Sequence, residues 1–203
     1  MIRDNNGAIK SVVSRAVFYV VRFADAPVMD MLNLMRFAAA PDAKRTAHIT
    51  VRGPCNRRMS KDAIRRLSRM IEGAEVCLGG IGTFFNKQQN TVYLHCHSPA
   101  LKAIWHKPQH SYTPHLTLYD GKSRAIAEEI RDALADADIN QTRPATAITE
   151  MLSPSTTPEL RPAIRPEMLR QITGIKTADE LATANWQTRL QTIKTTANHL
   201  AKL

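Results

Sequence analysis

The sequence predicts an α+β fold with antiparallel strand pairing. Between Ala16 and Ala137, short runs of β-branched and aromatic residues alternate with amphipathic, helix-like segments. Two neighbouring runs are joined by a polar turn over residues 86–90, which is typical of a β-hairpin. The 203 residues are 43% apolar and 23% charged, as in average soluble globular proteins. This composition excludes a disordered, collagen-like or coiled-coil protein.

The expected elements follow the order β, α, β, α, β, β, α, β, α. Ser60 and Ser98 are candidate helix N-caps, and Pro99 suits a first helical position. Gly79 and Gly80 lie inside an expected strand, where they indicate a bulge or a close backbone approach. In chain order the expected elements are Ala16–Phe23, Pro27–Ala38, Thr46–Arg52, Ser60–Ile71, Glu75–Phe85, Thr91–His97, Ser98–His106, His115–Tyr119 and Ser123–Ala135.

The composition changes after Ile139. Residues 142–166 contain five prolines and many Ser and Thr residues, which is typical of a linker. Thr177 and Glu180 form a capping-box pattern before an expected helix to Leu203, whose apolar stripe comprises Leu181, Leu190, Ile193 and Leu200. We therefore expect a domain over residues 1–141 and a Pro-rich linker with a helical extension over 142–203. A single helix cannot bury its stripe alone, so it should dock on the domain, a partner or a second copy.

Charge and cysteine content narrow the functional classes. The chain has 28 Lys+Arg against 18 Asp+Glu, a net charge of +10, which indicates an anionic partner. Its three cysteines form no CxxC pair, so neither a disulfide framework nor a zinc module is expected. The first apolar run, residues 16–21, is too short for a secretory signal or a membrane helix. We expect a cytoplasmic protein that does not associate with membranes.

Two expected strands carry the same pattern, His–apolar–Thr–apolar. Strand alternation places His48 and Thr50 on one face, and likewise His115 and Thr117, while the intervening apolar residues enter the core. One imidazole can accept a proton near neutral pH while a second, protonated imidazole donates one. Nearby hydroxyls can hydrogen-bond the non-bridging oxygens of a phosphate. The pattern predicts acid–base phosphodiester chemistry without a metal or cofactor, and leaves open which histidine is the base.

These segments and their flanks, AHITVRGP and YTPHLTLYDG, resemble the two-histidine (2H) phosphoesterases, which include the 2′-5′ RNA ligase-like proteins and cyclic phosphodiesterases. The preceding stretch NTVYLHCHSP…IWHKP adds to the resemblance, which covers residues 16–137. It implies a two-lobed, pseudo-symmetric fold with a central cleft. It also implies that His48 and His115 are catalytic and that Thr50 and Thr117 hold the phosphate.

The resemblance further implies an RNA-like substrate. The candidates are 2′,3′-cyclic phosphate ends, 2′-5′-linked oligonucleotides and cyclic oligonucleotides, and a ligase-like reverse reaction is a further option. The alternative class is a non-catalytic RNA-binding or scaffold protein that keeps the fold. It would use the C-terminal tail and the basic stripe of the second expected helix, Lys61, Arg65 and Arg69, which is otherwise a solvated face.

Further polar and aromatic residues accompany the two motifs. Arg52 and Tyr119 continue the two histidine faces, where a guanidinium could bind phosphate and a ring could stack on a base. Each could equally be a strand-end residue facing solvent. Tyr93, His95 and His97 either line the cleft or are ordinary residues of a polar strand face. No Asp, Glu or Cys at a standard spacing completes a metal site with the histidines.

Overall fold

A seven-stranded antiparallel sheet organises the chain in the computed structural model, which describes residues 2–3, 9–10, 16–43, 45–106, 111–153 and 164–203. Its strands are β3 (Ala16–Val21), β4 (Ile49–Cys55), β5 (Glu75–Phe85), β6 (Asn90–His97), β7 (His115–Gly121), β8 (Asn140–Pro144) and β9 (Thr149–Ser153). They lie in the order β8-β5-β6-β7-β4-β3-β9. Two short strands, β1 (Ile2–Arg3) and β2 (Ile9–Lys10), pair with each other. The predicted α+β class is confirmed.

Seven helices are described. They are α1 (Ala26–Ala39), α2 (Lys61–Ile71), α3 (Pro99–Ile104), α4 (Arg124–Ala135), α5 (Pro166–Thr173), α6 (Ala178–Thr183) and α7 (Trp186–Leu200). Each of the nine elements expected between residues 16 and 137 is present; β5 has the expected ends, and the other elements differ from expectation by at most three residues at an end. None of these helices is long and apolar enough to cross a membrane.

The sheet consists of two halves that meet where β4 pairs with β7, at Ile49 and Leu116. One half is β9-β3-β4 and the other is β7-β6-β5-β8, so each half contributes one histidine motif. The buried side chains of Ile49, Val51, Leu116 and Leu118 join the hydrophobic core, and α1 and α4 both contact β7. The half-buried motif residues lie on the opposite face.

Local sequence signals account for most of the turns and caps. The side chains of Ser60 and Ser98 accept hydrogen bonds from Ala63 N–H and Ala100 N–H, as expected of N-caps. In the β5–β6 turn, Asn86 Oδ1 accepts from two backbone N–H groups. The strand β5 has a bulge between Gly79 and Ile81, with φ of 69° at Gly80. The glycine pair therefore marks an irregularity, as the sequence indicates.

The segment expected to be a linker contributes two strands. β8 pairs with β5 and β9 pairs with β3, so they form the two edges of the sheet. The boundary expected after residue 141 falls inside β8. The strands lack an alternating apolar pattern because an edge strand pairs on one side only, and Pro144 is tolerated at the end of such a strand.

Two helices, α6 and α7, replace the single helix expected after Thr177, and α5 precedes them. Gly174, with φ of 76°, ends α5, and Asn185 caps α7 by accepting a hydrogen bond from Thr188 N–H. The helix α7 packs against α1, α4 and α5, and Ile193 and Leu200 are fully buried. Trp186 Nε1 donates to Glu129 Oε2 of α4 at 2.7 Å. In this structure the apolar stripe is therefore covered by the chain's own helices.

Candidate active site

The two His-x-Thr motifs face each other across the junction of the two sheet halves. The pairing of Ile49 with Leu116 is antiparallel. Continuing that register by one residue in each direction sets His48 opposite Thr117 and Thr50 opposite His115. Directly opposed side chains have Cβ atoms about 4.5–5.5 Å apart, and diagonal ones lie at about 7–8 Å. The two histidines therefore occupy a diagonal of this pairing.

Both histidines are oriented by the same local hydrogen bond. His48 Nδ1 lies 2.6 Å from the carbonyl oxygen of Thr46, and His115 Nδ1 lies 2.7 Å from that of Thr113. A carbonyl oxygen only accepts, so each Nδ1 carries the proton and donates. In each ring Nε2 is then the nitrogen that can exchange a proton with a substrate.

His48 lies in a half-buried, positively charged environment. Burial lowers its pKa from 6.5 to about 4, although the bond to Thr46 favours the charged form. Three positive side chains lower it further: Arg36, Arg22 and Arg45. His48 is therefore neutral at pH 7, with an unprotonated Nε2.

One of the arginines around His48 is held by the backbone of neighbouring segments. Arg36, from α1, donates through Nη1 to the carbonyl of Thr117 at 2.6 Å and through Nε to that of Arg45 at 2.9 Å. The buried Nε of Arg22 has no hydrogen-bond partner among the described residues. Buried guanidinium groups of this kind fit an anionic ligand, because phosphate oxygens can satisfy the remaining donors.

Aromatic rings surround His115 instead. Its ring centroid lies 4.8 Å from that of Tyr93 and 5.3 Å from that of Phe84. Tyr93 lies across Gly82 of β5, where the Cβ of any other residue would overlap the ring. His95 is opposite His115 in the β6–β7 register and contacts Tyr93 edge-on at 5.1 Å. Tyr93 is thus buried beside His115 and His95 is exposed next to it, but neither lines the cleft at the second motif.

An open cleft of about 410 Å³ begins at the second motif and extends toward the β5–β6 turn. It combines an aromatic wall with polar groups, and its lining residues are Phe84, Asn86, Gln89, Thr91, Thr113, His115, Thr117 and Asp120. Two cavities of about 340 and 390 Å³, which α7 lines together with α4 and α5 respectively, contain no motif residue.

Arg52 and Tyr119 are placed differently from the motif residues. Arg52 is half-buried, and its Nε donates to the carbonyl of Ile104 at the end of α3 at 3.2 Å. Tyr119 is only 6% exposed and belongs to the hydrophobic core, so it does not share the face of His115. The reason is a register shift between β6 and β7 that interrupts the alternation after Thr117.

The other residues that the sequence suggested for binding or for a metal site lie outside the cleft or form no such site. Lys61, Arg65 and Arg69 are exposed on α2, and Arg65 pairs with Asp62 of the same helix at 3.2 Å. His97 is exposed near Tyr112. In the part of the chain that the structure describes, no group of three or more His, Cys, Asp or Glu residues could hold a metal ion. His110 lies outside the described residues.

The comparison with protein families now identifies the family of the fold. The model of the 2′-5′ RNA ligase superfamily matches residues 24–150, more than half of the chain. The chain belongs to this superfamily of 2H phosphoesterases. The match contains both His-x-Thr motifs and ends within β9. No curated protein and no solved structure matches the chain.

The arginines around His48 and the acidic residue Asp120 are absent from the sequence-based site. Arg22, Arg36 and Arg45 come from the end of β3, from α1 and from the loop before β4, and no shared spacing links them. The sequence contains only a weak indication of Phe84: strand alternation places it on the same face of β5 as Gly82, two positions earlier. Asp120 lies two positions after the second motif, but its orientation depends on Thr91 of the neighbouring strand.

Proposed function

We propose that this superfamily member is a phosphodiesterase acting on RNA-like substrates through His48 and His115. The observation that supports this most directly is the register at Ile49 and Leu116, which opposes each histidine to the other motif's threonine. The superfamily match is consistent with RNA or nucleotide substrates. The substrates we propose are 2′,3′-cyclic phosphate ends and 2′-5′-linked or cyclic oligonucleotides.

We assign the base role to His48 and the acid role to His115. The Nε2 atom of His48 is unprotonated near neutral pH because the pKa of His48 is lowered to about 4. Such a nitrogen accepts a proton without first losing one. The arginines beside His48 also favour the anion that forms when water or an alcohol is deprotonated.

The hydrolysis of a 2′,3′-cyclic phosphate then proceeds in one displacement. A water oxygen forms a bond to phosphorus while His48 Nε2 takes the water proton. The bond from phosphorus to one ribose oxygen breaks, and that oxygen receives the Nε2 proton of His115. Thr50 and Thr117 hold the non-bridging oxygens, and Arg52 adds positive charge at the α3 side. The product is a nucleoside phosphomonoester, and solvent restores both histidines.

The proposal is tested with a panel of nucleoside 2′,3′-cyclic phosphates and 2′-5′-linked dinucleotides. We expect His48→Ala and His115→Ala each to lower kcat/KM by about 10²- to 10⁴-fold, the value of one proton transfer. His199→Ala, at an exposed position of α7, is the matched control and should retain full activity. The acidic limb of the kcat/KM profile should lie near pH 4, because His48 must be neutral. Circular dichroism would verify folding of each variant.

Three outcomes would contradict the proposal or redirect it. Full activity in either motif variant would contradict the two-histidine mechanism. Loss of activity with a chelator would indicate a metal-dependent reaction. Salt-sensitive RNA binding without turnover of any substrate in the panel would support the alternative, a binding protein that keeps the fold.

A further inference from the structure

We propose that the cleft beside His115 is a nucleobase subsite that prefers guanine. The inference extends the proposed function, because it places the base of the nucleotide whose phosphate lies between the two histidines. It depends on three features of the cleft: an exposed aromatic ring, a fixed carboxylate and a free amide donor.

Phe84 provides the stacking surface. Its ring stacks on Tyr93 with centroids 4.5 Å apart and an angle of 26° between the planes. Phe84 is nevertheless 40% exposed, an unusual position for a large apolar side chain of this protein. One face of the ring is covered by Tyr93, and the exposed part can stack on a planar ligand. Nucleobases of any kind stack favourably on such rings.

Asp120 provides a hydrogen-bond acceptor at the same cleft. The Oδ1 atom accepts from Thr91 Oγ1 at 3.0 Å and from Gln89 Nε2. Both bonds end on Oδ1, and Asp120 is exposed, so Oδ2 is available to a ligand. Two donors hold the carboxylate at the cleft wall before any ligand arrives. This preorganisation lowers the entropic cost of binding.

The polar groups match guanine better than the other bases. Only guanine presents two adjacent N–H donors, N1–H and N2–H, on its Watson–Crick edge, and a carboxylate accepts from such donors. Asn86 Oδ1 is already occupied by the N–H groups of Gln88 and Gln89, so its amide NH₂ group remains as a donor. That donor suits the O6 atom beside guanine N1.

The charges of the cleft also favour one orientation of a nucleotide. The carboxylate of Asp120 is within electrostatic reach of Arg36 and Arg45, which compensate its charge. These arginines also surround His48, where the phosphate would lie. A nucleotide with its phosphate at the histidines and its base at Asp120 therefore meets positive charge at the anion and an acceptor at the base donors.

The test measures binding without turnover. The ligands are the 2′- and 3′-monophosphates of guanosine, adenosine, cytidine and uridine, titrated into the full chain by calorimetry. A carboxylate that reads two donors should favour the guanosine compounds by about 10- to 100-fold. Asp120→Asn should remove this preference, while the matched control Asp138→Asn, on the exposed surface between α4 and β8, should keep it.

A second variant separates the contribution of stacking on Phe84 from the recognition of the base by Asp120. Phe84→Ala should weaken all eight ligands by about tenfold without changing their order. Met70→Ala, which truncates an exposed apolar residue on α2, should have no effect. Equal affinity for the four bases, or a guanine preference retained in Asp120→Asn, would overturn the inference. Guanine-selective binding without any phosphodiester turnover would instead leave the subsite standing and contradict the proposed function.

Discussion

Replacing His48 with Gln should remove a pH-dependent part of the free energy of unfolding. In the folded protein the pKa of His48 is about 4, whereas the ordinary value is 6.5. The unfolded chain therefore binds a proton between pH 6.5 and pH 4 that the folded chain does not bind. Since the folded pKa is the lower one, this contribution stabilises the protein above pH 6.5 and is lost as the pH falls toward 4.

The size of the effect follows from the difference between the two pKa values. One pKa unit corresponds to about 1.4 kcal/mol, so a difference of about 2.5 units predicts a loss of about 3 kcal/mol between pH 7 and pH 4. In His48→Gln this pH-dependent loss of stability should be absent, because the Gln side chain does not titrate. The variant also loses the hydrogen bond to Thr46, but that cost is the same at every pH at which His48 is neutral.

Urea unfolding at half-unit steps from pH 7.5 to pH 4 measures the difference. The variant should be less stable than the wild type at pH 7 and should approach or exceed it at pH 4. His199→Gln, exposed on α7, controls for the loss of an imidazole outside the cleft. Parallel curves for wild type and His48→Gln across this range would refute the buried, neutral state of His48.

Two further substitutions probe packing around the site and at the C-terminus. Gly82→Ala places a Cβ against the Tyr93 ring, so it should lower stability by about 1–3 kcal/mol and weaken the activity. In a double-mutant cycle Tyr93→Leu should relieve that overlap, and additive effects would contradict the contact. Ile193→Ala, in the buried face of α7, should cost about 2–5 kcal/mol in urea unfolding. Leu203→Ala, at a position 53% exposed, is its control, and an equal effect of the two would show that α7 does not pack as described.

Local signals explain what could be predicted from the sequence. The serine caps, the β5–β6 turn and the alternation around both motifs depend on neighbours within a few residues, which a sequence displays directly. The Thr177 side chain accepts from Glu180 N–H at 3.1 Å, as the capping box predicts. The Glu180 carboxylate reaches Lys176 N–H rather than that of Thr177. Even here, the exact partner depended on the path of the preceding chain.

Features that depend on contacts between distant segments could not be predicted from the sequence. β8 and β9 are strands because β5 and β3 offer open edges, and nothing in their own composition announces this. Tyr119 follows the alternation of its strand in the sequence, but the register shift against β6 turns it into the core. Arg36 contacts Thr117 across 81 positions of the chain. The motif residues could be predicted from local alternation, whereas their electrostatic surroundings could be seen only in the tertiary structure.

The two motifs make the same backbone hydrogen bond but have different surroundings. Each histidine donates from Nδ1 to a carbonyl two residues earlier, so local structure alone would give both rings the same character. The difference comes from the sheet halves. α1 and the end of β3 bring arginines to His48, while β5 and β6 bring aromatic rings to His115. Different surroundings can give two groups of the same type different pKa values, which is how an active site assigns one acid and one base. The lowered pKa of His48 therefore comes from the elements that cover it and not from its motif, and in the proposed mechanism this is what makes His48 the base.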